Sequence, residues 1–134
     1  MPYPKVKNMT REIKFRAYDK RTKRMKLVAA IWFSFASGPE KIDIGDGLPQ
    51  ANPEECILML YTGLLDKNGK EIFEGDIVKA VLDEISVERV GDVQYQTTFA
   101  RYGYTAESLG FGFDPDNWQY EIIGNIYNNK NLII

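Results

Sequence analysis

The fold is set by residues 57–79, which read ILMLYTGLLDKNGKEIFEGDIVK. An apolar run with the length of a buried strand opens this stretch, and a second apolar run begins at Ile77. Asn68-Gly69 lies between them and favours a two-residue type I′ turn, because both central residues of that turn need positive φ. Gly75-Asp76 supplies a further turn. The stretch predicts antiparallel strands joined by tight turns, and it contains no catalytic constellation.

On both sides of residues 57–79, apolar and polar residues alternate as they do in β-strands. In residues 11–18, Ile13, Phe15 and Ala17 alternate with polar residues, so we expect them to face the core. Residues 102–112 are rich in glycine, and only Thr105 to Leu109 indicates a helical turn. Further strands are predicted at 25–35, 86–90, 92–99 and 120–127, with a short one at 41–44 inside a loop over 36–54.

A set of apolar residues at these strand positions is expected to be buried. Each lies in a short apolar run or beside more polar neighbours on the alternate face. They are Phe15, Ile57, Leu60, Ile77, Val81, Ile122 and Ile126.

Short strands with little helix predict an all-β fold, a single compact domain of mostly antiparallel strands arranged like a small barrel. The length of 134 residues is ordinary for one domain. We place that domain at residues 10–134. Residues 1–9 are interpreted as a disordered arm or as an extension upstream of a translation start at Met9.

The composition excludes several classes of protein. No apolar run approaches the length of a membrane span, so no membrane association is expected. Cys56 is the only cysteine, which excludes an intrachain disulfide and fits a reducing cytoplasm. Histidine is absent, which removes the commonest general base and most zinc sites.

The charge is strongly asymmetric. Residues 1–26 hold ten Lys or Arg against two acidic residues, and the remainder holds seven basic and seventeen acidic residues. The basic end could contact phosphates of nucleic acid, or it could form the solvated outer face of the first hairpin. The candidate nucleic-acid contacts are Lys14, Arg16, Lys20, Arg21, Lys23 and Arg24.

Two carboxylate clusters have the composition of a cation site. Asp76 could bind a metal ion with Glu74 or Asp66, although a Gly-Asp pair more often caps a backbone N–H at a turn. The run from Asp114 to Asn117 has oxygen ligands at alternate positions, but Pro115 favours a simple turn. We assign no catalytic, cofactor-binding or metal residue and expect no cofactor. Cys56 is interpreted as a packed small apolar residue.

Aromatic residues concentrate between 92 and 121, where Arg101 is the only basic residue against five acidic ones. An acidic surface repels phosphates, so these rings favour core packing or contact with a protein partner over base stacking.

Three segments together carry a resemblance to a known family. REIKFRAYDK at 11–20, the stretch at 57–79 and YEIIGNIYNN at 120–129 resemble the YopX family of small phage and prophage proteins, mostly from Gram-positive bacteria. The resemblance implies a compact β-rich fold and a phage or prophage origin, and it transfers no functional residues. The chain departs from the family in the eight residues before Met9 and in residues 128–134, where a proline-containing turn is more usual.

The first functional hypothesis is a non-enzymatic accessory protein in the cytoplasm of the bacterial host. It would act by protein–protein binding, either with itself as a homo-oligomer or with an unknown phage or host protein. The alternative is a nucleic-acid module that uses the basic hairpin, and the most distant alternative is a carboxylate- and metal-dependent enzyme. The apolar tail at 132–134 is expected to pack on its own barrel or on a neighbouring subunit.

Overall fold

In a computed structural model of the protein, the described residues are 12–45, 47, 49–82 and 86–133. Of these, 58% lie in strands and 9% in short 3-10 helices, and no helix of seven or more residues occurs among them. The strands pair antiparallel and include a half-barrel, so the predicted all-β fold is confirmed. Within the same ranges, no helix has the length and apolar character to cross a membrane.

Eleven strands are described. They are β1 (Phe15–Asp19), β2 (Arg24–Leu27), β3 (Ala30–Ser34), β4 (Gly38–Asp43), β5 (Cys56–Leu65), β6 (Glu71–Phe73), β7 (Asp76–Leu82), β8 (Val87–Gln96), β9 (Arg101–Ala106), β10 (Leu109–Gly112) and β11 (Gln119–Asn125). Short 3-10 helices lie at Pro53–Glu55, Thr97–Phe99 and Lys130–Ile133.

The chain divides into two compact units, with the boundary between Gly63 and Leu64. In the first unit, β1 pairs with β2 on one side and with β5 on the other, while β3 pairs with β4. Its core is formed by Ala17, Ile42, Ile44, Ala51 and Cys56. Cys56 is therefore buried, as the sequence predicted, and burial raises the pKa of its thiol.

The second unit contains one antiparallel sheet in the order β10-β9-β8-β7-β11. Its core is a separate cluster of buried side chains, formed by Ile72, Val78, Ala80, Val93, Tyr104, Ala106 and Tyr120. The single domain over 10–134 stays a prediction, and residues 1–9 lie outside the described residues.

The hairpin around Asn68-Gly69 is present between β5 and β6, but the predicted type I′ turn is wrong. Of these two residues only Gly69 has positive φ, at 81°. The Gly69 N–H donates to the Asp66 carbonyl at 3.0 Å, and the Asp66 N–H donates to the Lys70 carbonyl at 2.7 Å. This pattern is a type I turn followed by a left-handed glycine, a wider hairpin loop than the two-residue form.

The Asp66 carboxylate stabilises this wider hairpin loop over the two-residue form. It is buried, and its Oδ1 accepts the backbone N–H groups of Asn68 and Lys70, both at 2.9 Å. Its Oδ2 accepts the N–H of Ile122 at 3.0 Å, and the neighbouring Lys67 N–H donates to the Tyr120 carbonyl at 2.8 Å. Because β11 is an edge of the five-stranded sheet, the hairpin loop caps that edge.

The continuous strand predicted at 25–35 is interrupted at Val28-Ala29. The Val28 N–H donates to the Phe15 carbonyl at 3.0 Å, whereas the Ala29 N–H donates to the Asp43 carbonyl at 2.7 Å. The chain thus changes partner strand between these two residues, and β2 and β3 enter different sheets. The short strand predicted at 41–44 corresponds to the end of the longer β4, which stops one residue earlier, at Asp43.

The strands predicted at 86–90 and 92–99 form a single strand, β8, that continues through Gly91 and ends at Gln96, because a 3-10 helix follows at Thr97–Phe99. A Cβ at Gly91 would lie 2.4 Å from the Thr105 carbonyl oxygen, so glycine permits the close approach of β9. The helical turn predicted from Thr105 to Leu109 is wrong. That segment is a hairpin between β9 and β10, with Glu107 and Ser108 at φ of 51° and 65°.

The prediction of core residues succeeded only in part. Ile77 is fully buried, and Met59 and Tyr61 are the buried large side chains of the apolar run in β5. Ile13, expected to face inward, is 76% exposed because it precedes β1 and lies outside its pairing ladder. The other six predicted core residues are only half-buried: Phe15, Ile57, Leu60, Val81, Ile122 and Ile126.

Candidate interaction surface

The turn between β1 and β2 is organised around the buried carboxylate of Asp19. It accepts the Arg21 backbone N–H at 2.9 Å, the Arg21 Nε–H at 3.1 Å and the Thr22 hydroxyl at 3.1 Å. Lys26 Nζ lies 3.6 Å from the same carboxylate. Burial alone would raise the pKa of Asp19, but these hydrogen bonds outweigh it and the pKa lies below the ordinary value. Part of the positive charge seen in the sequence is therefore neutralised locally.

The structure separates the six candidate nucleic-acid contacts into two groups. Lys14 pairs with Glu12 at 3.1 Å, and Arg16 is half-buried in β1 opposite Leu27 and Met59. The remaining four lie together at the β1–β2 turn, and they are Lys20, Arg21, Lys23 and Arg24.

Within the group at the turn, the side chains differ in their availability. Arg21 Nη1 donates to the Pro49 carbonyl at 3.0 Å in addition to its contacts with Asp19, and Lys20 Nζ donates to the Glu54 carbonyl at 3.1 Å. Lys23, at φ 59°, and Arg24 are exposed. The turn thus presents only a small positively charged surface to solvent. Its capacity to attract phosphates is much lower than the ten positive charges of residues 1–26 would indicate.

A groove of about 450 Å³ lies on the first unit where the chain crosses from β2 to β3. Lys14 is its one charged lining residue among the described side chains. The apolar lining residues are Ile13, Phe15, Leu27, Val28, Ala29, Ala30, Ile31 and Phe33.

Several large apolar side chains of the first unit are exposed, and three of them, Ile13, Leu27 and Phe33, line this groove. Leu27 is 65% exposed and Phe33 63%, and Phe35, in the turn after β3, is fully exposed. Trp32 is 45% exposed on the same strand. We name this set the apolar ridge: Ile13, Leu27, Trp32, Phe33 and Phe35. Sequence reasoning missed it because residues 25–35 were assigned to one continuous strand, although the uninterrupted apolar run from Leu27 to Phe33 was a visible signal.

The carboxylates considered for cation binding have structural roles. Asp76 Oδ2 accepts the Phe73 N–H at 2.8 Å, as a turn-capping aspartate does. Asp114 Oδ2 accepts from Asn117 Nδ2 at 3.0 Å, and the Asp114 carbonyl accepts the Trp118 N–H at 2.9 Å, which closes the predicted turn. Over the described ranges, no group of three or more acidic or cysteine side chains is arranged to hold a metal ion.

Part of the aromatic cluster between 92 and 121 belongs to the second core, whereas Tyr95 and Phe99 are 44% and 62% exposed. Tyr104 is buried and packs against Phe111, Phe113 and Tyr120 with ring centroids 5.6, 5.6 and 5.8 Å away. Burial raises the pKa of Tyr120 to about 12, and its hydroxyl accepts the Asp114 N–H at 2.8 Å. Core packing therefore accounts for these four rings, and partner contact by the exposed rings stays a prediction.

The C-terminal tail also belongs to the second unit. Its 3-10 helix at Lys130–Ile133 lies beside β8. Leu132 and Ile133 nevertheless keep 39% and 36% of their surface exposed. Of the two arrangements expected for the tail, packing on its own chain is therefore present for these residues.

Comparison with known proteins agrees with the resemblance seen in the sequence. A family model described as YopX protein matches residues 14–134. The crystal structure of protein EF1440 from Enterococcus faecalis is similar, with a TM-score of 0.68 and 27% identity over 93% of this chain and 100% of that chain. Curated proteins give no match. Because the family model spans nearly the whole sequence, the chain belongs to the YopX family.

Proposed function

We propose that this protein is a phage or prophage accessory protein that acts by protein–protein association through the apolar ridge. It works in the cytoplasm of the bacterial host and performs no chemistry of its own. The partner that we propose is a second copy of the chain.

The observation that carries this proposal is the exposure of the ridge. Three of its members, Ile13, Leu27 and Phe35, are at least 65% exposed. Ile13, Leu27 and Phe33 line the same groove, and exposed apolar surface gathered in one place on a monomer often marks an interaction site. Burying one Leu or Phe side chain contributes about 1.5–3 kcal/mol, so covering the ridge can offset much of the entropic cost of association.

Charge complementarity supports a second copy as the occupant. Residues 1–63 hold eleven basic and seven acidic residues, a net charge of +4, whereas residues 64–134 hold six and twelve, a net charge of −6. The first unit of one molecule is therefore attracted to the second unit of another. The second unit also exposes Leu65, Phe99 and Leu109, which are 56–62% exposed and offer apolar contacts.

Sedimentation equilibrium across a concentration series tests the proposal. The wild type should exceed the monomer mass of 15.4 kDa at high micromolar concentration, and Leu27→Asp should return it to a monomer because it places a charge in the apolar contact. Gln50→Asp is the matched control, since it adds the same charge at an exposed position of the same unit that does not line the groove. A monomeric wild type, or equal behaviour of the two variants, overturns the proposal.

A further inference from the structure

A second cleft, in the second unit, lies beside β8 at the tip of the β9–β10 hairpin. It has a volume of about 450 Å³. Among the residues that the structure describes, its lining combines aliphatic and aromatic surface with a single cation, Arg89. The lining residues are Val87, Glu88, Arg89, Val90, Ala106, Glu107, Leu109 and Phe111.

Aromatic rings hold the Arg89 guanidinium in one orientation. Its Cζ lies 3.7 Å from the centroid of the Phe111 ring and 4.3 Å from that of Trp118. Its Nη1 lies 3.4 Å from the Tyr104 hydroxyl, a long hydrogen bond. Arg89 is half-buried, and it forms no ion pair with any residue in the described ranges.

Tyr104 takes one N–H donor of the guanidinium, and the other four have no hydrogen-bond partner among the described residues. A guanidinium carries five N–H donors in one plane, and ring contacts cover its flat faces without using those donors. The planar edge matches a carboxylate in a bidentate pair. Because the rings already fix the side chain, little rotamer entropy remains to be lost on binding.

The surroundings select the kind of anion. Glu88 and Glu107 also line the cleft, and residues 64–134 carry a net charge of −6, so phosphates and polyanions are repelled. The Lys79 Nζ lies 3.6 Å from the Glu88 Oε1 and partly offsets the negative charge of Glu88. Val87, Val90 and Leu109, which are 37%, 36% and 62% exposed, offer contact to an apolar group beside the anion.

We propose that the Arg89 cleft binds a single carboxylate carried on an apolar body. The carboxylate pairs with the guanidinium edge, and the apolar body lies against Val90 and Leu109. Two sources share this chemistry: a free hydrophobic carboxylic acid, or an acidic side chain flanked by apolar residues in a peptide. The proposal stands on its own contacts and does not depend on the apolar ridge.

Trp118 gives a direct readout, because its ring contacts Arg89 and the chain has only one other tryptophan, Trp32. In a Trp32→Phe background, hexanoate should change the Trp118 fluorescence in a saturable manner. Hexanamide, the neutral analogue, should bind at least about tenfold more weakly because it cannot form the charge-assisted pair. Inorganic phosphate should also bind at least about tenfold more weakly, because it has no apolar group and is repelled by Glu88 and Glu107. A capped peptide with Glu between leucines distinguishes the two sources: tighter binding than hexanoate assigns the site to a protein segment, and weaker binding assigns it to a small acid.

Arg89→Met should abolish the response to hexanoate. Two variants at Val90, which lines the cleft but takes no part in the aromatic contacts of Arg89, keep the test decisive if Arg89→Met folds poorly. Val90→Glu should weaken hexanoate binding about threefold, and Val90→Lys should strengthen it about threefold. Saturable binding that survives in Arg89→Met, identical affinities in the two Val90 variants, or no response of the wild type to any of the carboxylates overturns the proposal.

Discussion

The carboxylate of Asp66 provides the sharpest test of how this fold is stabilised. It accepts three backbone N–H groups, two on Oδ1 from the hairpin loop and one on Oδ2 from Ile122 in β11. In Asp66→Asn, the oxygen can stay on the Oδ1 side and keep two of these bonds, while the new NH₂ group faces the Ile122 N–H. One charge-assisted bond is lost and one buried donor is left unsatisfied, so we expect a loss of about 2 kcal/mol. Asp66→Ala removes all three acceptor contacts and should cost about 3–6 kcal/mol.

Urea unfolding at pH 7 measures this loss. For a slope of about 2 kcal/mol per molar urea, Asp66→Asn should lower the unfolding midpoint by about 1 M. The exposed Asp116 provides the control, since Asp116→Asn should change the free energy of unfolding by less than about 0.5 kcal/mol. A change of that small size for Asp66→Asn would refute the reasoning.

The pH dependence of the same difference provides a second check. Burial disfavours the charged form of Asp66, but the N–H groups of Ile122, Lys70 and Asn68 outweigh it and hold the pKa below the ordinary 3.8. A carboxyl with a lowered pKa stabilises the fold above pH 3.8, and that contribution is lost as the pH falls through the pKa of the folded state. The difference between wild type and Asp66→Asn should therefore be largest near neutrality and shrink below pH 3.8.

Three further outcomes are expected. Ile77→Ala should cost about 2–5 kcal/mol in urea unfolding because the side chain is fully buried, whereas a loss as small as that of the exposed Ile13→Ala would contradict its place in the core. Gly69→Ala should cost about 1 kcal/mol through its φ of 81° alone, since a Cβ there meets nothing within 4 Å; an unchanged midpoint would argue against the left-handed conformation. Duplex DNA should bind more weakly than about 1 μM at ~150 mM salt in fluorescence anisotropy, and submicromolar binding that is lost on neutralising residues 20–24 would restore the nucleic-acid alternative.

The sequence predicted those parts of the fold that depend on local chemistry. The strand at β1 with Ala17 in the core, the turns at Gly75-Asp76 and at 114–117, and the existence of the Asn68-Gly69 hairpin all follow from residue type at short range. It could not predict the loop form of that hairpin, because the form depends on the Asp66 carboxylate reaching both the loop and β11. It also could not divide residues 25–35, since an apolar run does not show where a chain changes its partner strand.

The candidate sites show the same limit. The basic residues of the first hairpin were visible in the sequence, but their neutralisation by the buried Asp19 depends on the geometry of one turn. At the Arg89 cleft, the guanidinium from β8 contacts Phe111 in β10 and Trp118 in the segment before β11, and only the pairing of distant strands brings these side chains together. Its aromatic residues were noticed in the sequence as a group, while the cation among them was not, because Arg89 precedes that segment.

The loop at 66–70, which caps the β11 edge, should also reduce aggregation of the protein while it is being synthesised. A sheet edge with free N–H and C=O groups can recruit a strand from another molecule, and here Asp66 and Lys67 occupy two such groups. Variants that weaken the cap should therefore be lost to inclusion bodies at expression levels that the wild type tolerates, beyond what their reduced stability alone would cause. The loop prevents strands of other molecules from adding to the β11 edge. Association of the protein is thereby confined to its other surfaces.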